Sequence, residues 1–269
     1  EGWVEQNANL MIENIIFCIK QIIKISKVNI NEIKTIGIAN QTETFVVWDK
    51  KSGKPILPAI SWQCKRSSKL LIKYKSNFNL KEINHKTGLN LDATFTATKI
   101  LWLKINHPQI YNKIVNNKYL IGTVDTWIVW NLTKGKIYST DATNASRTLL
   151  CDTKKICWDQ SLIEQFQLKK IILPEIKKNY DDFGKVNKSY FGAEIDIKST
   201  IGDQQASLFG NQCLNKGDLK ITLGTGAFLW LNKGNKFSPK NNNGCLETLS
   251  WHFDKPVFAS EGFVIMAGS

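Results

Sequence analysis

Apolar residues recur at helical spacing near the start of the chain, at Leu10, Met11, Ile15, Ile16, Ile19, Ile22 and Ile23. The spacing predicts an amphipathic helix of about four turns, capped by Asn7 or Asn9. Short β-rich runs follow at Ile33 to Ile38 and Thr44 to Trp48, separated by the polar patch Asn40-Gln41-Thr42-Glu43. Ala59 to Gln63 also reads as a strand. Helices are predicted over Ser67 to Lys75, Thr96 to Ile105 and Gln109 to Asn116, the last opened by Pro108. Tyr119 to Ile121 reads as a strand, Val124 to Leu132 as a helix and Asp141 to Arg147 as a polar loop. Ser161 to Phe166 reads as a helix, and Leu173-Pro174-Glu175 ends that unit. Beyond Phe183 strands dominate, at Phe183 to Val186, Leu219 to Leu223, Phe228 to Leu231, Glu247 to Trp251 and Val257 to Ala259. The helix Gln204 to Gln212 interrupts them, and Phe237 to Gly244 reads as a surface hairpin loop. The mixture predicts an α/β protein. The shift towards hairpins between Gly210 and Lys216 suggests two parts, 1–212 and 213–269.

Two stretches invite chemistry. Asp203 follows a glycine and precedes a helical run, so it reads either as a helix cap or as a carboxylate projecting from a turn. At a helix N-terminus its charged form would be favoured, leaving it ionised and able to accept a proton from a hydroxyl. Gly224-Thr225-Gly226 interrupts a β-rich run. It reads either as a plain hairpin or as a turn whose backbone N–H groups approach phosphate. It is not a Walker loop, since no Gly-Lys-Ser/Thr follows. Trp62 with Glu43 is a third candidate: core packing, or an aromatic face and carboxylate that together hold a polyol.

Composition narrows the classes. The 269 residues are 42% hydrophobic and 22% charged, an ordinary globular balance. The net charge of +13 raises nucleic acid as a partner. The surplus is dispersed lysine, with only pairs such as Lys169-Lys170 and Lys177-Lys178, so no specific nucleic-acid partner is expected. The six cysteines form no C-x-x-C pair, and His85, His107 and His252 stand far from them in sequence. No metal-ligating residue is assigned, and the thiols suit a reducing, cytoplasmic setting. No apolar run approaches the ~18 residues of a membrane span. The first residue is Glu, and the apolar run to Ser269 lacks a tail, so both ends read as cuts through a fold.

Several short motifs then fall into one order. They include Gly2-Trp3-Val4-Glu5, Ile36-Gly37-Ile38-Ala39-Asn40-Gln41 with Glu43-Thr44, Trp62-Gln63-Cys64 with Arg66, and Thr98-Lys99 with Trp102. They continue with Gly122-Thr123-Val124-Asp125-Thr126-Trp127, Thr143-Asn144-Ala145-Ser146-Arg147-Thr148, Gly202-Asp203-Gln204-Gln205-Ala206, Gly224-Thr225-Gly226 and Glu261-Gly262. In this order the chain resembles the glycerol kinases of the FGGY carbohydrate kinase family. The resemblance implies the actin/hexokinase-like (ribonuclease H-like) ATPase architecture, two domains with the active site in the cleft between them. Residues 1–212 would be most of the polyol-binding domain and 213–269 the opening of the nucleotide-binding domain. It implies transfer of phosphate from ATP, with Mg²⁺, to glycerol. Asp203 matches the general base, Glu43 and Gln204 match polyol hydrogen-bonding residues, and Trp62 matches the aromatic wall. Gly224, Thr225 and Gly226 match the turn at the nucleotide phosphates. A homo-oligomer is expected at full length.

The sequence also departs from that pattern. Thr42 stands where the family has Arg, and Thr94 where it has a Tyr that donates to a glycerol hydroxyl. A hydrogen bond from a charged donor is worth on the order of 1.5–3 kcal/mol. Two such losses would weaken glycerol binding by roughly two to four orders of magnitude unless the threonines keep some hydrogen bonding. Val186 to Lys198 lacks the glycine-rich loop with which some bacterial members bind a sugar bisphosphate. The metal-associated hairpin and most of the adenosine-binding half are not recognisable in the sequence. The isolated chain is therefore expected to transfer no phosphate. The departures keep open an altered polyol or sugar specificity, or a non-catalytic remnant or polyol-binding domain.

Overall fold

The computed structural model describes residues 2–223, 227–239 and 244–264. The expected Gly224-Thr225-Gly226 turn and most of the tip of the Phe237 to Gly244 loop lie outside these. The helices are α1 Ala8–Ser26, α2 Ser68–Lys73, α3 Leu80–Thr87, α4 Thr96–Asn106, α5 Pro108–Val115, α6 Val124–Leu132, α7 Ala142–Ser146, α8 Gln160–Gln165 and α9 Asp203–Gly210. Asn7 caps α1, accepting from the N–H groups of Asn9 and Leu10.

The Phe45–Asp49 strand is the centre of the first part. It pairs antiparallel with Tyr119–Thr123 on one side and with Ala59–Ile60 on the other. Its side chains alternate between two cores. Phe45 and Val47 face a layer that includes Ile100 and Leu103 of α4, whereas Val46 and Trp48 face Trp127 and Val129 of α6 and Ile12 of α1. Both faces are covered, which is why this segment is apolar without a break.

A second sheet positions the cavity. Thr35–Asn40 runs parallel to Ile195–Gly202, in a register that sets Asn40 beside Gly202. The chain leaves both strands at the same edge, into Gln41 to Glu43 on one side and into α9 on the other. Ligands in such sheets bind beyond the carboxyl ends of parallel strands. A third, antiparallel sheet has the order Leu219–Leu223, Ala227–Gly234, Pro256–Val264, Leu246–His252. It matches the expected shift to hairpins.

The expected polar loop at Asp141 to Arg147 is instead the end of a strand and the buried helix α7. Its polar groups satisfy one another. Asp141 accepts from the backbone N–H groups of Thr143 and Asn144 and from the side chains of Asn144, Asn179 and Thr200. Asn144 exchanges amide hydrogen bonds with Asn40 at 2.9 and 3.1 Å, and Thr143 accepts from the N–H of Gly202 at 2.9 Å. Helix α7 therefore ties together the two strand ends that border the cavity. Beneath it lies a second buried acid, Asp125. Burial, then the nearby Asp141, pushes its pKa well above the usual carboxylate range despite hydrogen bonds from Thr123 and Thr140.

Candidate functional site

A cavity of about 470 Å³ opens beyond that sheet edge. Glu43, Thr42, Trp62, Thr94, Asp203 and Gln204 all line it, although they come from separate stretches of the chain. Phe228, Trp230, Glu261 and Phe263 of the third sheet close the opposite side, and Arg147 reaches in from the end of α7.

Glu43 sits on a tight turn. Its φ is 63°, a left-handed value uncommon for a non-glycine residue, and the Thr44 N–H donates across it to the Thr42 carbonyl at 2.8 Å. Such conformations persist only where the surroundings hold them. The Glu43 carbonyl accepts from the Thr96 hydroxyl at 3.2 Å and from the Lys99 ammonium at 3.3 Å. Its carboxylate is buried and doubly held: Oε1 accepts from Arg147 Nε at 2.6 Å, and Oε2 accepts from the Thr42 hydroxyl at 2.6 Å. Each oxygen keeps lone-pair capacity towards the cavity.

Arg147 continues to Glu261, donating from Nη1 to Oε2 at 2.5 Å. Burial works against its charge, but Glu261 and Glu43 outweigh burial and the guanidinium's pKa rises. Burial pushes the Glu261 carboxyl up, with Arg147 opposing. The charge cluster therefore holds a single cation between two carboxylates that approach from opposite sides of the cavity.

Asp203 opens α9 and its carboxylate faces the cavity. It accepts the N–H of Gln204 at 2.7 Å but does not reach further into the helix as a cap would. The charged form is less favoured than the helix N-terminus alone would make it. Desolvation raises its pKa, and the charge of Glu43 adds to the rise, against the N–H of Gln204, Lys220 and Arg147. A raised pKa makes the carboxylate a stronger proton acceptor.

Gln204 is oriented from the third sheet. Lys220 donates to its Oε1 at 2.8 Å, and the Thr222 hydroxyl lies 3.4 Å from the same oxygen. An ammonium only donates, so it fixes the amide with oxygen towards Lys220. Trp62 is half-buried, and its backbone N–H donates to the Thr44 hydroxyl at 3.1 Å.

The two threonines are occupied. The Thr42 hydroxyl donates to Glu43, and the Thr94 hydroxyl donates to Asp92 Oδ1 at 2.6 Å while accepting from Lys65 at 3.2 Å. A hydroxyl has one hydrogen to give. Neither threonine, so placed, donates into the cavity, and the hydrogen bonding left to them there is as acceptors.

Residues 1–210 match the family described as the FGGY family of carbohydrate kinases, N-terminal domain. The chain belongs to the FGGY family of carbohydrate kinases. Over its whole length this FGGY chain is 42% identical to a glycerol kinase of Thermoanaerobacter sp. (strain X514), of which it covers 54%. It is 39% identical to glycerol kinase 2 of Thermotoga maritima, with the same coverage of 54%. The chain thus spans about half the length of these curated relatives. Its structure superposes on Plasmodium falciparum glycerol kinase with ADP at a TM-score of 0.95 and 38% identity, covering 100% of this chain and 54% of that one. A xylulose kinase from Lactobacillus acidophilus, at 20% identity and a TM-score of 0.82 over 97% of this chain and 52% of that one, shares the fold. The FGGY chain has the actin/hexokinase-like architecture of that family.

Sequence reasoning singled out neither Phe228 nor the Arg147–Glu261 pair as site residues. Phe228 follows the Gly224-Thr225-Gly226 turn by two positions, and its place there was the available signal. Arg147 and Glu261 both stood in quoted motifs, but nothing local linked residues 114 apart.

Proposed function

We propose that this chain carries the polyol-binding side of a glycerol kinase, which transfers phosphate from ATP to glycerol. The observation that carries this reading is the convergence of Glu43, Trp62, Asp203 and Gln204 on one cavity in a chain of this family. In this reading Asp203 accepts the proton of the reacting hydroxyl. Its carboxylate faces the cavity, and its raised pKa suits that role. Glu43 accepts from a second hydroxyl with its remaining lone pairs. Gln204, its oxygen taken by Lys220, donates through its amide nitrogen. Trp62 and Phe228 pack on the C–H faces. Residues 1–212 would form the polyol domain and 213–269 the start of the nucleotide domain.

ATP use is supported by the glycerol kinase relatives and by the ADP named with the Plasmodium enzyme. The turn proposed to meet the phosphates, Gly224 to Gly226, lies outside the described residues. Among the described residues no group of three or more His, Cys, Asp or Glu side chains is placed to hold a metal ion. Mg²⁺ enters this reading only as part of the proposal, and no step is routed through the metal. No helix among the described residues is long and apolar enough to cross a membrane. The six free cysteines support the cytoplasmic reading. Assembly into homo-oligomers at full length remains part of the proposal.

One observation favours a second reading, a kinase for a different polyol or sugar. The hydroxyls of Thr42 and Thr94 donate within the protein, so glycerol loses two donors that the family supplies. Calorimetry on the 269-residue chain with glycerol and with C4 to C6 polyols and ketoses separates the two. Tighter binding of glycerol supports the first reading, and tighter binding of a longer chain supports the second. Absence of heat with every member of the panel sinks both. Glu43→Gln should weaken whichever ligand binds.

A further inference from the structure

Lys99 lies on the first turns of α4, fully buried, and does not line the cavity. Buried ammonium groups are costly and usually face a carboxylate. Lys99 instead donates to two backbone carbonyls, those of Glu43 and Thr94. Both residues border the cavity. The Glu43 carbonyl belongs to the left-handed turn, and the same helix adds a second donor to it through Thr96. Thr98, between them, donates its one hydroxyl hydrogen to the Phe95 carbonyl at 2.8 Å, with the Ala93 carbonyl 3.2 Å away. The start of α4 is thus a set of donors aimed at the two segments that carry Glu43 and Thr94.

We propose that Lys99 is a positioning residue whose buried ammonium clamps the Glu43 turn and the Thr94 segment to α4, and so fixes the direction of the Glu43 carboxylate across the cavity. Without the clamp the turn relaxes towards an ordinary backbone conformation, and the carboxylate turns with it. The ionic character of the clamp matters, because charge-assisted hydrogen bonds are about twice as strong as neutral ones. Burial lowers the Lys99 pKa to about 7, with Glu43, Cys64 and Asp92 opposing and Lys65 adding to the fall. The closed arrangement therefore carries its ammonium against burial, and the opening that returns Lys99 to water becomes harder as pH rises above neutrality. The inference rests on the polyol reading only for the ligand used in one arm of its test.

The test compares wild type with Lys99→Met, which keeps length and removes the donors. Both are made in a Cys64→Ser background so that the neighbouring thiol does not titrate. Hydrogen exchange, corrected for intrinsic rates, is followed in segments 42–46 and 94–97, with α6 as the internal reference. The expected result is at least ten-fold faster exchange in both segments of the variant and unchanged exchange in α6. Unchanged exchange in the two segments overturns the proposal. If the variant is unfolded throughout, wild type decides: corrected exchange in the same segments must fall between pH 6 and 8.5, and a flat profile overturns the clamp. In the ligand arm, Lys99→Met should bind glycerol about ten-fold more weakly than wild type at pH 7. Equal glycerol affinity of the two proteins overturns the proposal. If wild type binds no polyol, the functional reading fails, and the exchange arm still judges the clamp.

Discussion

Arg147 donates to Glu261 at 2.5 Å while its Nε holds Glu43 at 2.6 Å, so one guanidinium joins the third sheet to the turn at the end of the Thr35–Asn40 strand. All three side chains are nearly inaccessible. Removing the cation leaves two buried carboxylates facing each other, whereas removing one carboxylate leaves the cation with a partner. Breaking a buried pair costs about 3–5 kcal/mol. Arg147→Met should therefore destabilise by at least that much in urea unfolding, and Glu261→Gln by clearly less. Equal losses would mean that Glu43 does not share the cation.

Lys220 acts on Asp203 and on Gln204 together. It is buried, which lowers its pKa, and Asp203 opposes that fall. Lys220→Met should raise the Asp203 pKa further, because one of the charges that lower it is gone. The variant also frees the Gln204 amide to turn over. Carbon-detected NMR of the Asp203 carboxyl reads the first effect directly. A fall in its pKa, or no change, would show that Lys220 does not govern the charge at this position.

Much of this arrangement was legible because its signals are local. Val124–Leu132 and Leu219–Leu223 fall where the pattern placed them, since each is a run of one type bounded by turn residues. Glu43, Trp62, Asp203 and Gln204 do share one cavity. Helix α7 was not legible because its burial is polar: Asp141, Asn144 and Asn179 satisfy one another, and no hydrophobic period marks such a helix. The strand Ile195–Gly202 was missed because a register shift between Ile197 and Ser199 breaks its alternation. Helix α3, Leu80–Thr87, is mostly polar, and only Ile83 among its apolar residues is buried. The pairing of Arg147 with Glu261 depends on how two distant segments meet, which no spacing along the chain encodes.

Gly88 ends α3 with φ +75°, against the backbone of the Leu246–His252 strand. A Cβ there would lie 2.0 Å from the Glu247 carbonyl oxygen, which is backbone and cannot swing aside. Gly192 has a similar φ of +88°, yet a Cβ there meets nothing within 4 Å. Gly192→Ala should cost only the conformational penalty, about 1–2 kcal/mol. Gly88→Ala should add overpacking of about 1–3 kcal/mol. Thermal or urea unfolding of the pair checks this, and a Gly88→Ala cost no greater than that of Gly192→Ala would show that the strand moves away freely.

The clamp at Lys99 has a cost that should be visible in stability. In the folded chain burial brings its pKa from 10.5 to about 7. Below pH 7 the folded and unfolded chains both carry the proton, and the folded chain bears the full penalty of the buried charge. Between pH 7 and 10.5 the unfolded chain keeps a proton that the folded chain has released. The unfolded state binds more protons there, so this group makes stability rise with pH across that window. Lys99→Met removes the titration and the penalty, at the expense of two carbonyls left without their donor. The stability of the variant relative to wild type should thus be most favourable below pH 7 and decline by several kcal/mol towards pH 10. Urea unfolding at fixed ionic strength over that range gives the difference. A flat difference would mean that the folded chain keeps the proton on Lys99, and that the ammonium is held by its two carbonyls far more strongly than burial opposes it.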